Sequence, residues 1–272
     1  MKVLVVYFSP TRNTAEIGEK IGEALSSEGV DVLTRDITSF NDRKDPIDMD
    51  NYDAAMFGFP IYVNRAPAIM REWLASLDGK GKKCATFFTY GGVMSHPAHR
   101  STREILEGKN FEVVSSAEFV GSHTYNRVGW DAAMGRPNEK DFEVAAEFAK
   151  KTLKRFTGED TGRPEEFPEG APYEVLDKME QGMMGAIQER PSRKGAECSM
   201  CMDCEELCPT SAMDATSGEA DKEKCILCLR CVDVCPDNVL EMGDLSAMFK
   251  GALERTSQTK EDLAKKSSRI YL

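Results

Sequence analysis

The stretch KVLVVYFSPTRNTAEIGEKIGEALSSEG, residues 2–29, changes its period in the middle. Lys2 to Phe8 is a β-branched, nearly all-apolar run, the pattern of a parallel strand covered on both faces. From Thr14 onward, Ile17, Ile21, Ala24 and Leu25 recur at helical spacing until Gly29 stops the helix. Between them lie Ser9, Pro10, Thr11, Arg12, Asn13 and Thr14. Backbone N–H groups at such a strand-to-helix turn point toward an anion, and the helix dipole adds partial positive charge. Ser9, Thr11 and Thr14 can donate hydroxyl hydrogen bonds, and Asn13 an amide one. Thr14 or Asn13 could equally be a plain helix cap. Neither the G-x-G-x-x-G nor the Walker pattern is present, so on this loop alone both readings stand.

The same alternation continues outward. Residues 30–37, 54–60, 83–92 and 111–121 read as further strands, and residues 66–79, 97–110 and 139–156 as helices. Five strands alternating with helices predict a doubly wound parallel sheet with right-handed crossovers. Ligands of such sheets sit beyond the carboxyl ends of the strands. From Gly158 to Glu197 the texture changes to Pro164, Pro168, Pro172 and Pro191 among glycines, an extended connection with one short helix after Pro172. Met179, Met183 and Met184 read there as apolar filler, and Trp130 as a packing residue.

Of nine cysteines, Cys84 stands alone in an apolar strand, as a buried small hydrophobe would. The other eight form two blocks, CSMCMDCEELCP at 198–209 and CILCLRCVDVCP at 225–236, each cysteine of the second lying 27 positions after its counterpart. The duplicated C-x2-C-x2-C-x3-C-P spacing resembles the bacterial two-cluster ferredoxins over residues 196–243. That resemblance implies one [4Fe-4S] cluster on Cys198, Cys201, Cys204 and Cys235, and another on Cys225, Cys228, Cys231 and Cys208. A pair of zinc ribbons would use two CxxC pairs per metal instead. Residues 197–243 carry eleven Asp and Glu against three Lys and Arg. This charge favours low reduction potentials, and it reads equally as a face that steers a basic redox partner or as a solvated surface with no specific partner.

Two later segments bear on the first loop. Strand three ends in FGFPIYVNRAP and strand four in FFTYGG, placing aromatic and glycine-rich loops at the same edge. The three loops together resemble the flavodoxin family over residues 1–156. That resemblance implies sheet order 2-1-3-4-5 and FMN, with Ser9, Pro10, Thr11, Arg12, Asn13 and Thr14 at the phosphate. Pro60, Ile61, Tyr62, Val63 and Asn64 would flank one side of the ring, and Thr89, Tyr90, Gly91 and Gly92 the other. Arg12 departs from the family, where many members have Gly; it would shield the phosphate or face a partner. His96, His99 and His123 show no metal-ligand spacing, and only His123, on the loop after strand five, is placed to line the mouth.

The expected organisation is a flavodoxin-like domain at 1–157, a connecting segment at 158–196, a small α+β 2[4Fe-4S] ferredoxin domain at 197–243 and a helical tail at 244–272. The tail, with six basic and three acidic residues from Lys250 to Leu272, would dock on the acidic cysteine region or fray. The whole resembles flavodoxin-ferredoxin fusion proteins. Such a protein relays electrons between two clusters and FMN, and to or from an external redox protein, within one chain or in a domain-exchanged homodimer. The alternative is an FMN-dependent reductase of a small unsaturated or quinone-like substrate, with Tyr90, His123 and Tyr125 as proton donors. A formal net charge of −11 argues against nucleic acid as partner. No apolar run reaches the length of a membrane span, and a cytoplasmic location is expected.

Overall fold

The computed structural model describes residues 1–251 and 253–272. Five parallel strands form the sheet: β1 (Lys2–Tyr7), β2 (Asp31–Asp36), β3 (Ala54–Pro60), β4 (Lys83–Tyr90) and β5 (Glu112–Val120). They are ordered 2-1-3-4-5, the order expected from the family resemblance. Helices α1 (Asn13–Ser27), α2 (Ala68–Ala75), α3 (His96–Glu107) and α4 (Glu139–Thr157) cover both faces. The alternation of β1 sorts the core. Val3, Val5 and Tyr7 pack with Ile17, Ile21 and Leu25 of α1 and Phe148 of α4. Leu4, Val6 and Phe8 pack with Met70 and Leu74 of α2 and Leu106 of α3. Cys84 is wholly buried, and burial pushes its thiol up, as expected of a small hydrophobe.

The connecting segment carries one helix, α5 (Tyr173–Ala186), which starts immediately after Pro172. The cysteine region holds two short helices, α6 (Asp203–Glu206) and α7 (Arg230–Val234), and between them a two-stranded antiparallel ribbon of β6 (Met213–Asp214) and β7 (Glu219–Ala220). The sequence duplication is also a duplication of backbone. Met200, Met202 and Ser211 have left-handed φ of 58°, 69° and 49°, and Leu227, Leu229 and Asn238, each 27 residues later, have 58°, 55° and 53°.

The tail corrects the sequence reading in two respects. After α8 (Ser246–Thr256) and α9 (Lys260–Lys265) it forms a strand, β8 (Arg269–Tyr271), antiparallel to the outer edge of β5. The sheet therefore has six strands, not five, and the tail is not purely helical. Its contact with the cysteine region is apolar, and its basic residues Lys260 and Arg269 pair with Asp131 and Glu165 outside that region. Leu253 and Leu263 are buried in one cluster with Tyr125, Trp130, Leu227 and Leu229, with Phe249 packed against it. Among the described residues, no helix is long and apolar enough to cross a membrane.

Candidate functional site

The carboxyl ends of β1, β3, β4 and β5 open on one cavity. Its narrow end, about 40 Å3, is lined by Ser9, Pro10, Thr11, Asn13 and Thr14 on one side and by Pro60, Ile61, Tyr62, Thr89, Tyr90 and Gly91 on the other. Ser122, His123 and Thr124, after β5, complete it. Within the first loop, Ser9 Oγ accepts from the Ala15 N–H at 2.9 Å, so Ser9 rather than Asn13 or Thr14 caps α1. Asn13 Nδ2 donates to the Ser122 carbonyl at 2.6 Å, and the Thr14 hydroxyl pairs with that of Thr89 at 2.6 Å. Those two side chains brace the cavity walls. The backbone N–H groups of Thr11, Asn13 and Thr14 have no protein acceptor among the described residues. Three free donors at a helix N-terminus are what an anion such as a phosphate requires.

Arg12 stands apart from this cavity. Its φ of 73° puts it in the left-handed region, where glycine fits without strain. Its guanidinium turns outward to Glu19 at 3.0 Å, with 56% of the side chain exposed. It neither shields the cavity nor occupies it. Replacing Arg12 with glycine is expected to leave FMN affinity, read by fluorescence quenching, unchanged, and to shift stability by no more than about 1 kcal/mol, because relief of left-handed strain offsets the extra freedom of the unfolded chain. Gly92 also lies outside the cavity wall; its φ of 87° shapes the turn that meets Leu263 of α9.

The wide end holds about 310 Å3 and adds Val63 and Asn64 to the residues expected at a flavin ring. Its remaining wall comes from elements the sequence did not connect with it. Met179, Met183 and Met184 of α5, read as filler, line it together with Phe249 of α8 and Ile226 and Leu227 of the second cysteine block. Arg65 explains how α5 is held there. Its side chain is 4% exposed and bonds Asp177 at 2.6 Å and Glu180 at 2.9 Å, and Glu180 also bonds Arg71 at 2.8 Å. His123 is half-buried here, stacked on Tyr125 with ring centroids 5.0 Å apart. Burial holds its imidazole neutral, down to about 4. Its Nδ1 accepts from the Tyr125 N–H at 3.2 Å, so Nε2 carries the proton. The Tyr62 hydroxyl lies beside Thr124 but is buried without an aligned partner, and burial followed by the charge of Cys228 pushes it up. A cavity walled largely by apolar side chains, edged by an unsatisfied hydroxyl and adjoining free backbone donors, fits FMN.

Behind Tyr90 lies a buried polar network that sequence reasoning missed, since His99 looks like an ordinary helical residue. Tyr90 Oη donates to Glu118 at 3.1 Å, Ser95 donates to the same carboxylate, and His99 Nε2 lies 3.2 Å from it. A carboxylate only accepts, so His99 Nε2 carries the hydrogen, and Nδ1 accepts from Ser116 at 2.6 Å. Burial alone would raise Glu118; the bonds from His99 and Ser95 overcome it and hold the carboxyl near 2. A depressed native value means that Glu118 stabilises the fold above its usual value of 4.5 and loses that effect as the pH falls toward 2. Denaturant unfolding of wild type and Glu118→Gln should therefore differ most at neutral pH and converge between pH 4.5 and 2.

The eight clustered cysteines fall into two spatial sets. Cys198, Cys201, Cys204 and Cys235 line one small cavity with Met200, Met202 and Arg193, whose Nη1 donates to Cys198 Sγ at 2.8 Å. Cys208, Cys225, Cys228 and Cys231 lie within electrostatic reach of one another. Burial pushes the Cys228 thiol up to about 12. Four clustered thiolates, two of them on buried residues, call for a compensating cation. Among the described residues, no three Cys, His, Asp or Glu side chains converge on one point. Each set of four thiols matches the donor number of one iron–sulfur cube. The first set is the more open, with Cys201 exposed, whereas Cys208 and Cys228 are buried.

The second block is docked against the flavodoxin-type sheet. Arg127 bonds Asp233 at 2.7 Å and Ile226 packs on the core beside β3, while Arg43 holds the first block by donating to the Pro209 carbonyl. Tyr62 and Tyr125 both lie close to Cys228.

Comparison with known proteins agrees with this layout. The flavodoxin-domain family model matches residues 4–123, and the 4Fe-4S binding-domain model matches residues 219–241, which contain the second cysteine block only. An uncharacterized protein of Methanocaldococcus jannaschii is 29% identical over 158 residues, 57% of this chain and 99% of that protein. Similar solved structures include a flavodoxin from the domain Archaea, at 19% identity and TM-score 0.43, covering 58% of this chain and 99% of that one. Another is a Fusobacterium nucleatum flavodoxin bound to flavin mononucleotide, at 15% identity and TM-score 0.42, covering 57% and 98%. A flavodoxin-like domain implies FMN, and a 4Fe-4S motif implies such a cluster. The chain joins a flavodoxin-like domain to a ferredoxin-type 4Fe-4S motif, the composition of an electron-transfer protein of the flavin and iron–sulfur kind.

Proposed function

We propose that this chain relays electrons between two [4Fe-4S] clusters and one FMN, and exchanges them with an external redox protein. Cys198, Cys201, Cys204 and Cys235 hold the outer cluster, where exposed Cys201 and Met200 offer a contact for the partner. Cys208, Cys225, Cys228 and Cys231 hold the inner one. Thr11, Asn13 and Thr14 receive the FMN phosphate on their N–H groups, while Pro60 to Asn64 and Thr89 to Gly91 bracket the ring. Bound FMN supplies the change between one-electron and two-electron chemistry. The observation that carries this reading is that Ile226 and Leu227, between two cysteines of the inner set, line the flavin cavity itself. One chain thus supplies both ends of the transfer, and tethering keeps them together.

A second reading rests on His123, whose protonated Nε2 belongs to a ring in the cavity wall. It would make the protein a reductase of a small quinone-like substrate, with His123 as proton donor. Anaerobic purification followed by iron and flavin analysis tests both, with about eight iron atoms and one FMN per chain expected. Two zinc atoms in place of iron, or no flavin and no affinity for FMN, would sink the relay. Steady turnover of a quinone with a ferredoxin-type donor would favour the reductase; transfer between carriers without such turnover favours the relay.

A further inference from the structure

Arg230 sits between Cys228 and Cys231, at the start of α7. Its counterpart in the outer block, 27 residues earlier, is Asp203, so the duplication reverses charge at this position. The Arg230 guanidinium reaches away from its own module to the first loop of the flavodoxin-type sheet. Nη1 lies 3.2 Å from the Pro10 carbonyl and 3.5 Å from that of Ser9. Its Nε is buried and has no partner among the described residues.

We infer that Arg230 is a positioning residue that couples the inner cysteine loop to the phosphate end of the flavin cavity. The inference rests on the proposed binding of FMN in that cavity. The Pro10–Thr11 peptide is trans, so its C=O and N–H point in opposite directions. Holding the Pro10 carbonyl outward against Arg230 aims the Thr11 N–H the other way, into the cavity that Thr11 lines. The loop has no other cation for this task, since Arg12 is turned out onto Glu19. The positive charge behind the loop also favours a phosphate dianion in front of it. Order in the cysteine loop and affinity for the phosphate are thereby linked, and linkage is reciprocal.

The test is a fluorescence titration of flavin-free, iron-replete full-length protein with FMN and, separately, with riboflavin, the same ring without the phosphate. Arg230→Gln should weaken FMN binding on the order of tenfold while leaving riboflavin affinity and iron content unchanged. Arg230→Lys, which keeps the charge but not the planar donor pair, should fall between the two. Equal weakening of both ligands would make Arg230 a merely structural contact and overturn the inference, as would no change in either. If Arg230→Gln loses iron, the ratio of FMN to riboflavin affinity in Arg230→Lys decides: a ratio below wild type supports the coupling, and an unchanged ratio refutes it. Wild-type protein that binds neither ligand would instead defeat the flavin reading itself.

Discussion

Replacing Glu180 with alanine is expected to cost the fold about 3 kcal/mol, because it leaves buried cations without their carboxylate. Glu180 is the shared partner of Arg65 and Arg71, and the Arg65 side chain has almost no access to water. Asp177 remains for Arg65, but it is half exposed and cannot replace the lost charge for both arginines. The loss should show as a lower urea midpoint with an unchanged slope. The same ion group fastens α5, whose methionines wall the cavity, and Arg65 closes the turn at Tyr62 through paired backbone bonds of 2.7 and 3.1 Å. FMN affinity should therefore fall together with stability. Glu180→Gln, which keeps the shape and loses the charge, should retain part of both; an effect below about 0.5 kcal/mol, the scale of ordinary surface substitutions, would show that the group is solvated and unimportant.

The second large effect is expected at Cys228. Cys228→Ala removes a buried thiol from the inner set, and iron should drop from about eight to about four atoms per chain. Cys198, Cys201, Cys204 and Cys235 are untouched and should keep their spectroscopic signature. In single-turnover mixing with a low-potential one-electron donor, the remaining iron should be reduced as in wild type, while bleaching of the flavin slows sharply. Flavin reduction at the wild-type rate would mean that electrons reach the cavity without passing Tyr62 and the loop at 225–231.

Much of this architecture was legible in the chain. Apolar runs such as Val3 to Phe8, and the helical spacing of Ile17, Ile21 and Leu25, report burial on two faces because each reflects a local period. The cysteine blocks were legible for a similar reason, since a cubic group imposes fixed short spacings. What escaped has no local period. Arg230 meets Pro10 across 220 residues, Arg127 meets Asp233 across 106, and Arg65 meets Glu180 across 115. Strand β8 is three residues in a basic tail, too short for alternation to register. Asn13 and Thr14 line the cavity, yet their side chains spend their hydrogen bonds on Ser122 and Thr89. The free donors are backbone N–H groups, which no side-chain pattern records.

The pairing of β8 with β5 changes the status of everything between them. The cysteine-bearing segment leaves the sheet after α4 and returns to it at residue 269, so it is a topological insertion fixed at both ends and not an appendage on one leash. A module on a single leash can swing out to visit a partner and can be traded between copies through one hinge. This one would have to open two hinges at once and also strip a strand from the sheet. Under the proposed relay a carrier would come to the exposed cysteine set where it stands, and a single proteolytic nick in the Pro-rich connection should leave the two pieces joined.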